Sequence, residues 1–220
     1  MINKTRMSGL LCGLCVLAWI LHTTDAQARP VTYPDGRVWV MDAQDNQQAW
    51  RFGYSKTFRW SASVGGLYLN KLANGESLDV TYVRAARLLK RWNWPNAQAN
   101  LFGWGGVGYA KHTQGNNASG HVGFQADFET RTLYTSVVSE HHEGQGWRYR
   151  TDTLSIGAAP YAHDFDGVAA WVILKGMRTT HTLKDKPKGA LMLRFFNPTW
   201  WIEAGIDSNG RLLGNVMFNF

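Results

Sequence analysis

The chain has 220 residues, 45% of them hydrophobic and 18% charged, with a formal net charge of +7. That length holds one domain or two small ones, and the apolar content is that of a folded chain, which excludes disorder. Its 23 glycines and 6 prolines are too sparse and aperiodic for a collagen-like or low-complexity tract, so the placement of the 13% aromatic residues becomes the informative feature.

Residues 1–28 read as a cleaved secretory signal. Lys4 and Arg6 form a basic start, Leu10 to Leu21 an apolar run, and Ala26-Gln27-Ala28 a small-residue cleavage site. The run is too short to cross a bilayer as a helix. Both cysteines, Cys12 and Cys15, lie in this leader, so the exported chain has no thiol for a disulfide or a thiolate metal site. Lys4, Arg6 and Asp25 leave with it, which lowers the net charge from +7 by one, to +6. That surplus is dispersed, unlike a nucleic-acid patch, and suits an anionic surface such as lipopolysaccharide.

Beyond the leader, apolar and polar residues alternate with period two. Trp50, Phe52 and Tyr54 alternate with Arg51, Gly53 and Ser55. Val122, Phe124, Ala126 and Phe128 alternate with His121, Gly123, Gln125, Asp127 and Glu129. The spacing predicts twelve strands, over residues 37–42, 48–56, 58–70, 78–91, 99–112, 119–130, 132–142, 147–160, 167–178, 189–197, 200–207 and 211–220. The count is ten if the short first strand is an arm. Connections alternate between short ones, such as Asn197-Pro198-Thr199, and mostly longer or more polar ones, such as Thr113 to Ala118. Membrane barrels show that asymmetry, with both termini on the periplasmic side when the strand number is even.

A soluble sandwich or a lipocalin-like barrel shares the period-two pattern. Tryptophans near strand ends, among them Trp50, Trp60, Trp92, Trp94, Trp147, Trp200 and Trp201, favour a membrane, where aromatic girdles mark the interfaces. The final stretch places Leu212, Gly214, Val216, Phe218 and Phe220 on one face. It resembles the C-terminal strand of Gram-negative outer-membrane barrels, which ends in an aromatic residue. The resemblance implies that the barrel assembly machinery reads this strand, with Phe218 and Phe220 as the signal. The run Arg91-Trp92-Asn93-Trp94-Pro95-Asn96-Ala97-Gln98-Ala99-Asn100 is similar to one in small outer-membrane proteins of an uncharacterised proteobacterial type, and it implies no activity. The expected organisation is a signal over 1–28, a periplasmic segment over 29–36, and an all-β, closed antiparallel transmembrane barrel over 37–220 in the outer membrane.

With apolar faces turned to lipid, the lumen would be lined by Arg51, Arg59, Asp79, Arg87, Asp127, Glu129, Lys175, Arg194 and Glu203. These either fill the interior as ion pairs or set the ion preference of a narrow channel. Arg84 breaks the pattern, because it shares a face with Val80, Tyr82 and Ala86. The densest ionisable cluster is Ser139-Glu140-His141-His142-Glu143. Ser139 and His141 share a face and form a candidate nucleophile and base for a rim-located lipid hydrolase. His141 or His142, with His112 and His181 at other strand ends, are candidates for a Zn²⁺ or Cu²⁺ site, although adjacent histidines on a strand point to opposite faces. No phosphate-loop, dinucleotide, zinc-protease or serine-elbow motif is present, and no cofactor is expected. The favoured expectation is a non-enzymatic barrel, either a narrow channel for small solutes or a surface structure. Its partners would be membrane lipids, lipopolysaccharide and the assembly machinery, not nucleic acid.

Overall fold

The computed structural model describes residues 30–220 except 45, 71, 73–74, 113–114, 163–166 and 181–186. The leader and His181 therefore lie outside the described residues. The strands are β1 (Gly36–Gln44), β2 (Gln47–Thr57), β3 (Trp60–Leu69), β4 (Leu78–Trp94), β5 (Ala97–His112), β6 (Gly115–Thr130), β7 (Leu133–Gly144), β8 (Trp147–Ala158), β9 (Ala169–Thr180), β10 (Lys188–Asn197), β11 (Trp200–Asp207) and β12 (Leu212–Asn219). Each pairs antiparallel with its chain neighbours, and β1 pairs with β12 to close the barrel. Closure removes the sheet edges that would otherwise leave backbone groups unpaired.

The first strand is a full member and not an arm. It pairs with β2 from Gly36 to Gln44 and with β12 from Val38 to Ala43, so the count is twelve. Phe220 finishes the seam, where its N–H donates to Arg37 O at 3.0 Å and its carbonyl accepts from Arg37 N at 2.8 Å. Both ends of the barrel wall thus lie at one rim, here the terminal rim; the opposite rim is the distal one.

Several strands run further than their sequence suggests. β4 and β5 pair as far as Trp94 with Ala97, leaving only Pro95 and Asn96 as the turn, and Trp92 and Trp94 belong to the strand. β6 begins at Gly115, so the polar residues 115–118 extend the wall. The expected asymmetry of loops is weak, because the β8–β9 connection at the terminal rim spans 159–168 and is as long as any distal one. The Tyr161 hydroxyl donates to Val168 O at 3.3 Å and ties that loop to its base.

One row of cross-strand neighbours shows the tilt of the strands. Trp60, Arg87, Gly103, Phe124, Ser139, Asp152 and Arg178 follow one another across β3 to β9. The row begins at the first residue of β3, at the terminal rim, and ends near the distal end of β9. A closed barrel requires this stagger, because its strands tilt relative to the axis.

The outward face carries the exposed apolar side chains, including Val83, Val107, Val122, Leu154, Ile156, Leu174, Leu191, Leu193 and Ile206. Outward aromatics gather near the terminal rim. Trp39 stacks on Phe218 at 5.9 Å between ring centres, Phe52 lies 6.2 Å from Phe220, and Trp94 lies 6.2 Å from Phe128. Trp50, Tyr68 and Tyr109 stand outward near the distal ends of β2, β3 and β5. On β7 to β9 the distal part of the wall is polar instead. There Arg150 Nε and Nη2 hold Asp152 Oδ1 at 3.1 and 2.9 Å, with Arg148 and Arg178 exposed nearby.

Candidate functional site: the barrel lumen

The inward positions follow from the alternation, strand by strand, and the buried charged side chains gather there. Glu203 on β11 is 1% exposed and receives two cations. Arg194 on β10 holds its Oε2 through Nε and Nη2, each at 2.7 Å, and Lys175 on β9 pairs with its Oε1. The Arg194 guanidinium is also sandwiched between the rings of Trp201, 4.1 Å away, and Tyr134, 4.9 Å away. Such stacking suits a planar cation deprived of water. Trp201 Nε1 donates to Asn215, whose Nδ2 donates to Asp42 Oδ2 at 3.3 Å.

A second network faces it from β4 and β7. Arg84 Nη1 donates to Glu140 Oε1 at 3.3 Å, and His142 Nε2 lies 3.2 Å from the same oxygen. His142 stacks on His121 at 4.8 Å, and the Tyr82 ring meets His121 edge-on at 4.6 Å. This ladder of rings crosses β5 where that strand turns two glycines inward. At Gly106 a Cβ would press into Val83 O and stand 3.0 Å from Arg84 Cα; at Gly108 it would stand 2.9 Å from Tyr82 Cβ. The missing side chains make the space that the rings occupy.

A third group sits towards the terminal rim. Arg91 Nε donates to Asn100 Oδ1 at 2.7 Å, Asn100 Nδ2 to Asp127 Oδ1 at 2.7 Å, and Gln125 Nε2 to Asp127 Oδ2 at 2.9 Å. Glu129 is buried one inward position further along β6.

Between the first two networks lies a cavity of about 260 Å³, lined by Asp42, Arg51, Arg84, Glu140, Lys175, Arg194 and Glu203 among others. Apolar clusters lie towards both rims from it. Towards the distal rim Leu67, Leu69, Leu72, Leu78, Val80, Ala110 and Tyr149 pack together. The Tyr149 hydroxyl donates to Gln47 Oε1, joining β8 to β2, which stand opposite one another in the ring of strands. Towards the terminal rim the segment before β1 folds inward. Val31 is 3% exposed and packs with Ala86, Leu88, Phe102 and Trp104. Pro30 O accepts from Ser61 Oγ at 2.6 Å, and Thr32 N donates to Ser55 Oγ at 2.9 Å.

The sequence-derived lumen residues divide. Arg51, Asp127, Glu129, Lys175, Arg194 and Glu203 stand on inward positions. Arg59 does not; it lies in the exposed turn after β2, with its guanidinium 5.2 Å from the Phe58 ring centre. Asp79 and Arg87 are exposed on the outward face of β4, and Arg84 takes the inward place. The reason is physical: the inner surface beside β4 is a packed cap, so its apolar residues Leu78, Val80 and Leu88 point in and the usual polarity inverts. Arg87 meets the Trp60 ring at 4.9 Å, at the level of the terminal aromatics.

The Ser139 cluster is split by the strand. Ser139 and His141 face outward, and Glu140 and His142 face inward. Ser139 Oγ donates to Asp152 Oδ1 at 2.7 Å, while His141 Nε2 lies 3.3 Å from Glu143 Oε2. A nucleophile needs its hydroxyl turned to an imidazole, and here it is turned to a carboxylate. His112 Nε2 meets Asn117 Nδ2 at 3.0 Å, and among the described residues no three acidic, histidine or cysteine side chains group as metal ligands. The His121–His142 stack was not anticipated, although both residues fall on polar faces of alternating strands.

A closed antiparallel barrel with an apolar, aromatic-belted exterior and a charged interior is the architecture of porin-like membrane proteins. The fold agrees with that of a solved structure. The chain resembles a KdgM porin in complex with disordered oligogalacturonate, at 11% identity and a TM-score of 0.50, over 84% of this chain and 98% of that one. A second KdgM porin structure is similar at 13% identity and a TM-score of 0.46, with the same coverage. No family model and no curated protein matches the sequence.

Proposed function

We propose that this protein is an outer-membrane barrel whose lumen admits a small polar solute, a narrow channel and not a wide pore. The observation that carries the reading is the cavity of about 260 Å³ inside a closed twelve-strand wall, lined by Arg51, Arg84, Lys175 and Arg194 against Asp42, Glu140 and Glu203. A barrel that served only as a surface scaffold could fill this space with apolar side chains at no cost in unpaired charge. Charged rings at a constriction select among ions and polar solutes. The apolar exterior, the aromatic belt and the C-terminal strand support insertion in the outer membrane, with the terminal rim in the periplasm. In that setting the partners are the barrel assembly machinery, through Phe218 and Phe220, and outer-leaflet lipopolysaccharide.

The polymer named for the porin neighbour does not transfer to this chain. Tyr149 with Gln47 on one side and Val31 on the other leave a chamber for one compact molecule, not for a threaded oligomer. Recording across a planar bilayer tests the reading. Purified protein is expected to give small, discrete conductance steps. A bilayer that stays silent with folded protein inserted would overturn the channel and leave a sealed surface barrel.

A further inference from the structure

The two rims treat their outward cations differently. At the distal rim the arginines come with acids: Arg150 holds Asp152 Oδ1 at 3.1 and 2.9 Å, and Glu143 is the cross-strand neighbour of Arg148. At the terminal rim Arg37, Lys56, Arg59, Arg87, Lys90 and Arg131 stand exposed, and among the described residues the exposed acid beside them is Asp35. Asp35 is already taken, by the Tyr54 hydroxyl at 2.6 Å and Lys56 Nζ at 3.3 Å.

Three of those cations gather round one irregularity of the wall. The β4–β5 register shifts between Leu88 and Lys90, the mark of a bulge. Strict alternation would turn Lys90 inward with Leu88. The bulge turns it outward instead, onto the face of Arg87 and Leu89, and sends Arg91 in to Asn100. The turn after β2 is fastened to the same point, because Leu88 N donates to Arg59 O at 2.9 Å. Each cation lies against a ring: Arg87 is 4.9 Å from the Trp60 ring centre, Lys90 5.8 Å from that of Trp92 and Arg59 5.2 Å from that of Phe58. None of the three has a carboxylate partner among the described residues.

A ring holds a cation at the level of the aromatic belt but leaves its charge uncompensated. Snorkelling alone would be served by cations spaced around the belt. Here a backbone irregularity brings three together against their mutual repulsion, which calls for an anion between them. A zwitterionic headgroup would bring a phosphate with an ammonium, and this flank offers no free acid to the ammonium. We propose that the bulge of β4 is a binding site for an anionic glycerophospholipid of the phosphatidylglycerol type, its phosphate held by Arg87, Lys90 and Arg59 and its acyl chains laid along the exposed Ala85, Val83 and Val107 towards the midplane. The site goes beyond the proposed channel and rests only on the wall lying in a membrane, with the terminal rim among the headgroups of the periplasmic leaflet.

Native mass spectrometry tests it, on the folded barrel released from detergent micelles that carry equal amounts of phosphatidylglycerol and phosphatidylethanolamine. Phosphatidylglycerol is expected to be retained about fivefold or more over phosphatidylethanolamine. Arg87→Gln combined with Lys90→Gln should lower its retention about tenfold, from the attraction of each basic residue for an anionic lipid. Arg148→Gln combined with Arg150→Gln removes the same charge from the distal wall and should leave retention unchanged. Equal retention of the two lipids would overturn the site, as would a bulge variant that binds like the parent, or a distal variant that loses as much as the bulge variant. If the bulge variant does not fold, Arg59→Gln, in an exposed turn, takes its place, with retention about threefold lower expected and unchanged retention overturning the site. Lipid retention by a barrel silent in the planar bilayer would refute only the channel, and conductance without lipid preference only this site.

Discussion

Glu203 holds two buried cations, so its removal is not a simple loss of one ion pair. Glu203→Gln would leave Arg194 and Lys175 enclosed without their shared counter-charge, which costs about 3–5 kcal/mol when a buried pair is broken on one side. Urea titration of the protein refolded in lipid vesicles should show a lower midpoint of that order; an unchanged midpoint would mean that water reaches both cations. Arg59→Ala should leave the same midpoint unaltered, because Arg59 occupies an exposed turn. This contrast marks the limit of reading charge from sequence. Arg194 and Glu203 stand on strands with one clearly apolar face, and alternation places them inside. Arg84, Asp79 and Arg87 stand on β4, which is apolar inward where it builds the distal cap and mixed outward. Period two says that Arg84 shares a face with Val80 and Tyr82, but it does not say which face points in.

At the scale of the strand, the recurring device is an aromatic side chain laid over a glycine on its neighbour. Trp104 covers Gly123, Tyr82 covers Gly65, Trp147 covers Gly144 and, on the outside, Trp50 covers Gly66. Each pair is a direct cross-strand partner, so the large ring is accommodated without pushing the strands apart. At Gly106 a side chain would meet backbone on β4 as well as the His121 ring, so a ring movement alone cannot relieve it. Gly106→Val should therefore destabilise the barrel by about 1–3 kcal/mol or more. The yield of protease-resistant protein in membranes checks it; a normal yield would mean that β4 and β5 can part locally. The glycines are visible in the sequence as breaks in the polar face, yet their partners are not, since the register across strands depends on the stagger of the whole wall. The expected strands are recovered with ends shifted at β4, β5 and β6, where polar residues extend the pairing beyond the alternating core.

For the whole molecule, the leader-like start, the C-terminal strand and the alternation together made a closed barrel of ten or twelve strands legible, and the double pairing of β1 decides for twelve. What could not be read was the state of the interior, because the two caps come from distant parts of the chain. Val31 closes the terminal side from a segment with no strand pattern at all. Deleting residues 30–35 should open that side, and conductance in the planar bilayer should rise about severalfold, since passage through a pore is governed by its narrowest lining. Unchanged conductance would place the restriction at Tyr149 and Gln47 instead. The wall itself is uneven. β4 has 17 residues, β11 and β12 have 8 each, and the distal third of β7 to β9 turns Ser139, Asp152, Arg150 and Arg178 outward. A strand needs about 9–11 residues to cross the hydrocarbon. The wall is thus taller on one flank of the cylinder than on the other, and a membrane of uniform thickness does not match both alike. Such a wall is expected to lean towards its short flank and thin the leaflet there, so that mismatch as well as the aromatic girdle would set its position among lipids.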